Sequence, residues 1–361
     1  VKRGRGRPKG SGVRSGLPQL RNSERGAFKR CQFLWHLTFQ KELRPITAAP
    51  ALRFGTLVHA ALAKYYKVGR ERGPRPHVTF ERLYNKELKE QTRYGFRDED
   101  GTWEEAGELG VLMLENYLEH YGTDDEWEVL ATEQPFRVTV YHPDSYDPNH
   151  PPEAQATAKP WFEMVGIVDG VWRHRPTRKV WIPDHKTTSG IGGTTQHPEV
   201  PKWLLMDDQA GTYWSFGVLG LIAQGILKKD VKISGMLFNF LRKAKPDERP
   251  YKIVNKQKLH LNKDGTISKR QPPPYFYRQP IYRDEYDRQM SMQRTLDDFA
   301  AIEAARKGAP ILKSPGMFTC PMCPVRDVCE LHETGSDWES MLQMTTKQWD
   351  PYADHEIREG R

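Results

Sequence analysis

The sequence predicts an α/β protein in which helices flank a central mixed sheet. Three observations lead there. Apolar residues recur at helical spacing through four segments before residue 121. Two Val/Ile/Trp-rich runs, 166–172 and 180–188, read as the arms of a β-hairpin. A helical stretch over 207–224 is then followed by a strand over 231–241, the alternation of an α/β fold.

Length and charge bound the reading. At 361 residues the chain can bury one large core or two small ones. Hydrophobic residues make up 37% and charged residues 28%, and the longest apolar run, 216–223, is far too short to span a bilayer. No apolar segment follows the basic N-terminus, so no secretory leader is visible and a cytoplasmic protein without membrane contact is expected. The net charge of +8 is unevenly placed: residues 1–30 carry ten Lys/Arg against Glu24 alone, so the rest of the chain sums to −1. Such an arm suits a polyanion, most simply nucleic acid.

Taken in order, residues 1–23 form this basic arm and are expected to be disordered. Within it, Arg5-Gly6-Arg7-Pro8 resembles the core of an AT-hook. Arg5 and Arg7 then lie in a narrow A·T-rich minor groove, where negative potential concentrates; the other reading is a generic tail on phosphates. A folded domain follows over 24–335, beginning with helical patterns at 24–41, 52–66, 78–93 and 104–121. Cys31 lies on the apolar face of the first. In the second, Gly55 allows another backbone to approach, and His59 sits among apolar residues, either as a core histidine or as a ligand.

The segment 129–140 reads as a strand carrying Glu133, and five prolines make 142–160 a polar loop. After the hairpin, the Gly-rich segment 189–195 is either a closing loop or a plain linker. On the 207–224 helix, Gln209 and Tyr213 stand one turn apart on one face. Residues 242–274 are polar and Lys-rich. The aromatics and arginines of 272–283 either stack bases or pack a Pro-rich loop on the core. A helix over 284–307, a cysteine cluster and a polar tail over 336–361 complete the chain.

The hairpin carries the chemistry. With its turn centred on Pro176/Thr177, residues whose numbers sum to 353 face each other, which sets Asp169 opposite Asp184 with β-carbons about 5 Å apart. Lys186 shares the Asp184 face. Two carboxylates that close repel unless one takes a proton or a cation intervenes. Hard oxygen ligands suit Mg²⁺ or Mn²⁺. Lys186 beside the ion would hold or deprotonate a water, or steady the charge of a phosphate. The alternative is an exposed hairpin with scattered charges.

The four cysteines are Cys31, Cys320, Cys323 and Cys329. The C-x₂-C-x₅-C spacing is that of thiolates on a metal, and Cys31 is the one cysteine left to complete a set of four. Four thiolates suit tetrahedral zinc or a [4Fe–4S] cluster.

In combination, Gly55-x-x-x-His59, Glu133 on a strand, Gly166-x-x-Asp169, Asp184-x-Lys186, Gln209-x-x-x-Tyr213 and the four cysteines resemble the RecB-like branch of the PD-(D/E)XK nucleases. More narrowly they are similar to its iron–sulfur members, such as the CRISPR-associated RecB-type exonucleases and the AddB nuclease domain. The resemblance covers about residues 28–332 and implies a restriction-endonuclease-like core. It implies that His59, Asp169, Asp184 and the His185 carbonyl bind Mg²⁺ or Mn²⁺, that Lys186 positions water, that Glu133 assists, and that Gln209 and Tyr213 contact DNA or order the site. It favours a [4Fe–4S] cluster over zinc. The activity implied is metal-dependent DNA exonuclease chemistry on ends or single strands. No GxxxxGK[ST] sequence occurs, so the expectation is that the chain cuts DNA ends or free strands itself or borrows a helicase or recombinase partner. An endonuclease, or a DNA-binding protein with an inactive fold, are the other readings.

Overall fold

The computed structural model describes residues 16–46, 50–93, 95–145, 158–193, 198–199, 201–254 and 257–353. Arg5, Arg7 and most of the proline loop lie outside the described residues.

Strand β1 (Gln19–Leu20), inside the expected basic arm, leads into α1 (Asn22–Arg30), α2 (Gln32–Trp35) and a π-helical turn, His36–Gln40. The single helix expected over 24–41 is therefore broken at Cys31, whose backbone is extended (φ −168°, ψ 119°). The break redirects the chain so that Phe33, Leu34 and Leu37 pack against Val325 and Val328, apart from the central core. Strand β2 (Leu43–Pro45) precedes three long helices, α3 (Pro50–Tyr65), α4 (Pro76–Arg93) and α5 (Thr102–Tyr121), close to their expected bounds.

The sheet strands β3 (Trp127–Tyr141), β4 (Pro160–His174) and β5 (Val180–Thr188) follow, then a short pair, β6 (Gly192–Gly193) and β7 (Pro198–Glu199). The helix expected over 207–224 is α6 (Asp208–Thr212) and α7 (Val218–Ala223), joined by a π-helical turn at Tyr213–Gly217. Strand β8 (Ile233–Arg242), the hairpin β9 (Tyr251–Val254) and β10 (Gln257–His260), β11 (Phe276–Tyr282), α8 (Glu285–Arg306), α9 (Arg326–Glu333), α10 (Trp338–Thr345) and β12 (Thr346–Gln348) finish the described chain.

Six strands make the central sheet. The order β1-β4-β5-β8-β11 is extended by β3 on β4, and the β1/β4 and β5/β8 pairs are parallel within an otherwise antiparallel sheet. One face packs Phe54, Val58, Leu62, Phe80 and Leu114 from α3, α4 and α5 against Trp172, Trp181, Leu237 and Leu241. The other packs Phe216, Leu221, Phe299 and Ile302 against Phe136, Phe162, Ile182 and Phe238. This is the mixed sheet flanked by helices that the sequence predicts.

Two expectations are corrected. Residues 276–282 are not part of a Pro-rich loop; they form the sheet edge β11, paired with β8 from Phe276↔Leu241 to Tyr282↔Gly235. The strand was hidden by Arg278, an inward-facing charge held by a two-toothed ion pair with Asp124 (2.9 and 2.6 Å). Residues 336–353 do not trail away as a polar tail. Trp338, Met341 and Leu342 pack on the Phe33 cluster, β12 pairs with β2, and the Trp349 indole donates to the Thr38 carbonyl (3.1 Å).

Two glycines let elements meet at the future site. A Cβ on Gly55 of α3 would stand 3.2 Å from Thr187 Oγ1 of β5. A Cβ on Gly166 of β4 would stand 2.6 Å from two carbons of the buried Phe136 ring. Gly166→Ala should therefore force the ring aside and lower unfolding stability by about 1–3 kcal/mol, as overpacking does, read from the urea midpoint; an unchanged midpoint would contradict this packing.

Candidate active site

The site lies in a gap between strands. Strand β3 occupies one edge of β4 along almost its full length. The other edge is shared: β1 pairs with it at Glu163 and Met164, and β5 at Trp172 and Arg173. Between those contacts, residues 165–171 of β4 face an opening. A cleft of about 240 Å³ lies there, lined by Arg21, Asn22 and Ser23 at the start of α1, by 165–167, and by Gln209 and Tyr213.

The hairpin register is as expected at its closed end. Trp172 faces Trp181, Arg173 faces Val180, and the His174 amide donates to the Lys179 carbonyl (2.8 Å), all on the sum of 353. The ladder does not continue to Asp169 and Asp184. Instead the Asp169 carboxylate turns into the opening and accepts from the His185 amide (2.9 Å). A side chain thus satisfies a backbone donor that the ladder leaves free.

Three ligand-type groups converge. His59 Nδ1 of α3 lies 3.2 Å from Asp169 Oδ2. Glu133 of β3 sits across from Asp169, between the pairs Thr132↔Gly170 and Gln134↔Val168. One ligand atom from each of His59, Glu133 and Asp169 lies within 4.8 Å of the others. Glu133 adopts φ +43°, a left-handed backbone that non-glycine residues avoid, just past a register shift at Val129/Ala131. Such strain is retained where the position itself is useful.

Asp184 is fully buried, and neither of its oxygens receives a well-aligned hydrogen bond among the described residues. The Lys186 ammonium lies 2.9 Å from its Oδ2 as an ion pair. Lys186 Nζ also donates to Gln209 Oε1 (2.7 Å), and Gln209 Nε2 donates to the Tyr213 hydroxyl (2.8 Å). Gln209 on α6 and Tyr213, one turn on at the start of the π-helical turn, therefore form a relay that orients the lysine. Asp207 caps that helix by accepting from the Ala210 amide (2.7 Å), which fixes the relay's first turn.

The family model described as the PD-(D/E)XK nuclease superfamily matches residues 23–330. The chain belongs to the PD-(D/E)XK nuclease superfamily. No curated protein matches it in sequence.

Nucleases of this superfamily use divalent metals such as Mg²⁺ or Mn²⁺, and the donor set here fits one. An imidazole and two carboxylates converge, and the buried Asp184 carboxylate next to them has the Lys186 ammonium at one oxygen and no hydrogen-bond donor at Oδ1 among the described residues. The protonation of the group shows the same need. Burial opposes charge on His59, yet Asp169 beside it, with Asp184 and Glu133 beyond, raises its pKa to about 9. Burial would push Asp169 up, but the His59 charge and hydrogen bond hold it well below the usual carboxylate range. Burial dominates at Glu133, raised to about 7 with help from the Asp169 charge, and at Asp184, raised to about 6 against the pull of Lys186. Without a cation, protons do the work of neutralising this cluster.

Behind His185 stands a buried network that sequence reasoning missed. The His185 ring turns to the opposite face of β5, where Asn239 Nδ2 meets its Nδ1 at 2.8 Å. Asn239 also donates to the Tyr117 hydroxyl (3.0 Å), itself bonded to Tyr66 (2.8 Å) and Arg278 (2.9 Å). Burial lowers the His185 pKa to about 3, so the ring stays neutral. One signal was available: an asparagine at the centre of the apolar run Leu237-Phe238-Asn239-Phe240.

The four thiols also gather. Cys31, Cys323 and Cys329 flank the Phe33/Val325 cluster, and Cys320 neighbours Cys323 in the same turn, whose amide bonds the Cys320 carbonyl (3.0 Å). Burial raises the Cys323 and Cys329 pKa values, with nearby thiols adding to it.

Metal loading should release the proton that His59 holds. Mn²⁺ affinity should then rise by about tenfold or more per pH unit from pH 6.5 toward 9, and level off above the His59 pKa. Calorimetric titrations in buffers of different ionisation enthalpy read both the affinity and the protons released. Affinity that is flat over this range would remove His59 from the ligand set.

Proposed function

We propose that this chain is a metal-dependent DNA exonuclease of the RecB-like, iron–sulfur branch, acting on DNA ends or single strands in recombination, repair or phage DNA metabolism. The observation that carries the reading is Lys186 Nζ held between Asp184 Oδ2 (2.9 Å) and Gln209 Oε1 (2.7 Å) beside a buried carboxylate cluster. His59, Asp169 and Asp184, with Glu133 assisting and the His185 carbonyl as a further donor, would hold Mg²⁺ or Mn²⁺. The ion's chemistry is to polarise a phosphoryl oxygen and lower the pKa of a bound water.

Lys186 acts as an ammonium. Burial would strip its proton, but Asp184, then Asp207 and Asp169, raise its pKa above the usual lysine value. It therefore serves as a donor that orients water and steadies the charge growing on the phosphate, and it does not take the water's proton. Gln209 and Tyr213 keep that donor aimed, and they border the cleft where the strand would lie.

The four thiols would hold a [4Fe–4S] cluster. The motif order shared with the iron–sulfur members favours that cluster over a tetrahedral zinc on the same four thiolates. Its role is structural, closing a loop of about 290 residues between Cys31 and Cys320. Four free thiols also suit a reducing, cytoplasmic setting. No helix among the described residues is long and apolar enough to cross a membrane.

Wild-type protein with Mn²⁺ should shorten end-labelled linear DNA and spare a closed circle; cutting of the circle would favour an endonuclease. Lys186→Ala should lower the rate by at least about 10²-fold while DNA binding survives, and full activity in that variant would sink the assignment. Cys320→Ala, purified without air, should lose brown colour and iron and melt earlier. A colourless wild type containing zinc would make the site a zinc staple.

A further inference from the structure

The connection between β8 and β11 is far longer than pairing requires. Antiparallel neighbours join through about two to five residues, whereas here 243–275 intervene. The insertion folds on itself. Strands β9 and β10 pair, Leu259, His260 and Ser268 are buried, and Gln271 Nε2 bonds the His260 and Ser268 carbonyls (3.0 and 2.7 Å). Its root is clamped by Arg242, which donates to the Pro274 and Pro273 carbonyls (3.2 and 3.1 Å). A built module of this kind is no slack loop.

Its composition and exposure are unusual. Residues 243–271 hold nine Lys/Arg against Asp247, Glu248 and Asp264, a net +6. Everything beyond the N-terminal thirty residues sums to −1, so this module carries the body's basic surplus while the remainder is acidic. Strand β9 faces water on both sides: Tyr251 is 48% exposed, Ile253 72% and Val254 36%. Apolar side chains on a strand open on both faces build no core of their own.

The insertion also springs from the active-site end of the sheet. Lys186 pairs with Phe240 and Thr188 with Arg242, and the Lys243 amide donates to the Thr188 carbonyl (2.7 Å). Lys243 Nζ lies 5.8 Å from the Phe54 ring centre, next to the Gly55 at which α3 crosses β5. Along the strands this root is only about 10 Å from the level of Lys186.

We propose that the 243–271 module is the platform that holds DNA as it enters the active site. Its exposed lysines, among them Lys252, Lys263 and Lys269, take the phosphates of one strand, and Ile253 and Val254 press on that strand's bases. The proposal rests on the nuclease reading and adds where the substrate lies. Charge selects the occupant: a module of net +6 rooted about 10 Å along the strands from Lys186 suits a polyanion. Exposed aliphatic side chains among lysines suit bases freed from a duplex stack.

The test uses the full chain carrying Lys186→Ala, so that binding is read without turnover, with labelled single-stranded DNA followed by fluorescence anisotropy across a salt series. Adding K252Q, K263Q and K269Q together should weaken binding by tenfold or more. It should also flatten the slope of log affinity against log salt by about 0.7 for each phosphate that is no longer neutralised, at an unchanged melting temperature. Ile253→Ser should weaken single-strand binding several-fold with the slope kept. If the triple variant binds with the parent's affinity and slope, the platform is wrong. If Ile253→Ser binds as the parent does, the base contact is wrong. Failure of the nuclease reading shows separately, as wild type that cleaves no DNA with either metal.

Discussion

The site is governed by the charge that Asp169 and Asp184 would share beneath a buried surface. Like charges in a water-poor site repel, and burial adds a desolvation cost to each. The protein distributes that load unequally. Asp169 keeps its charge because His59 and the His185 amide face it. Asp184 has Lys186 and no aligned hydrogen bond, so burial raises it to about 6. A divalent cation would neutralise both at once, and in the proposed reading the donor set serves a metal better than it serves a permanent ion-pair cluster.

That charge can be placed there only because the sheet is left incomplete. Strand β4 gives one edge wholly to β3 and divides the other between β1 and β5. A continuous ladder over 165–171 would have consumed the backbone groups and closed the opening. The distortion continues across the strand pair, in the register shift at Val129/Ala131 and the left-handed Glu133. The stable parts of the sheet, packed by Trp172, Trp181 and Phe238, hold this irregular patch open.

Much of this was legible in the sequence because it depends on local pattern. The hairpin register followed from Pro176 and Thr177 at the turn, and the spacing of Gln209 and Tyr213 followed from one helical turn. What stayed hidden depends on long-range pairing. Sequence arithmetic carried the 353 register on to Asp169, but the ladder stops at Trp172. Strand β11 was obscured because Arg278 finds its partner in Asp124, 154 residues away. Asn239 was visible as a polar residue in an apolar strand, yet its partner His185 belongs to the neighbouring strand. The Cys31 break was masked by a helical periodicity that spans it. The placements of Arg5 and Arg7 fall outside the described residues.

Helix α1 links the cysteines to the cleft. Arg21, Asn22 and Ser23, at the start of α1, line the cleft, and Cys31 follows directly on the helix's last residue, Arg30. Along its length Arg25, 1% exposed, bonds Asp298 and Thr212 (2.7 and 2.8 Å), and Lys29 bonds Asp208 (2.7 Å). Thr212 and Asp208 sit on the helix that carries Gln209. A metal holding Cys31 to the C-terminal cysteines would thus fix the far end of a lever whose near end borders the catalytic relay. A helix tied down by ion pairs transmits position, and position is what the Lys186 ammonium would draw from the distal thiols.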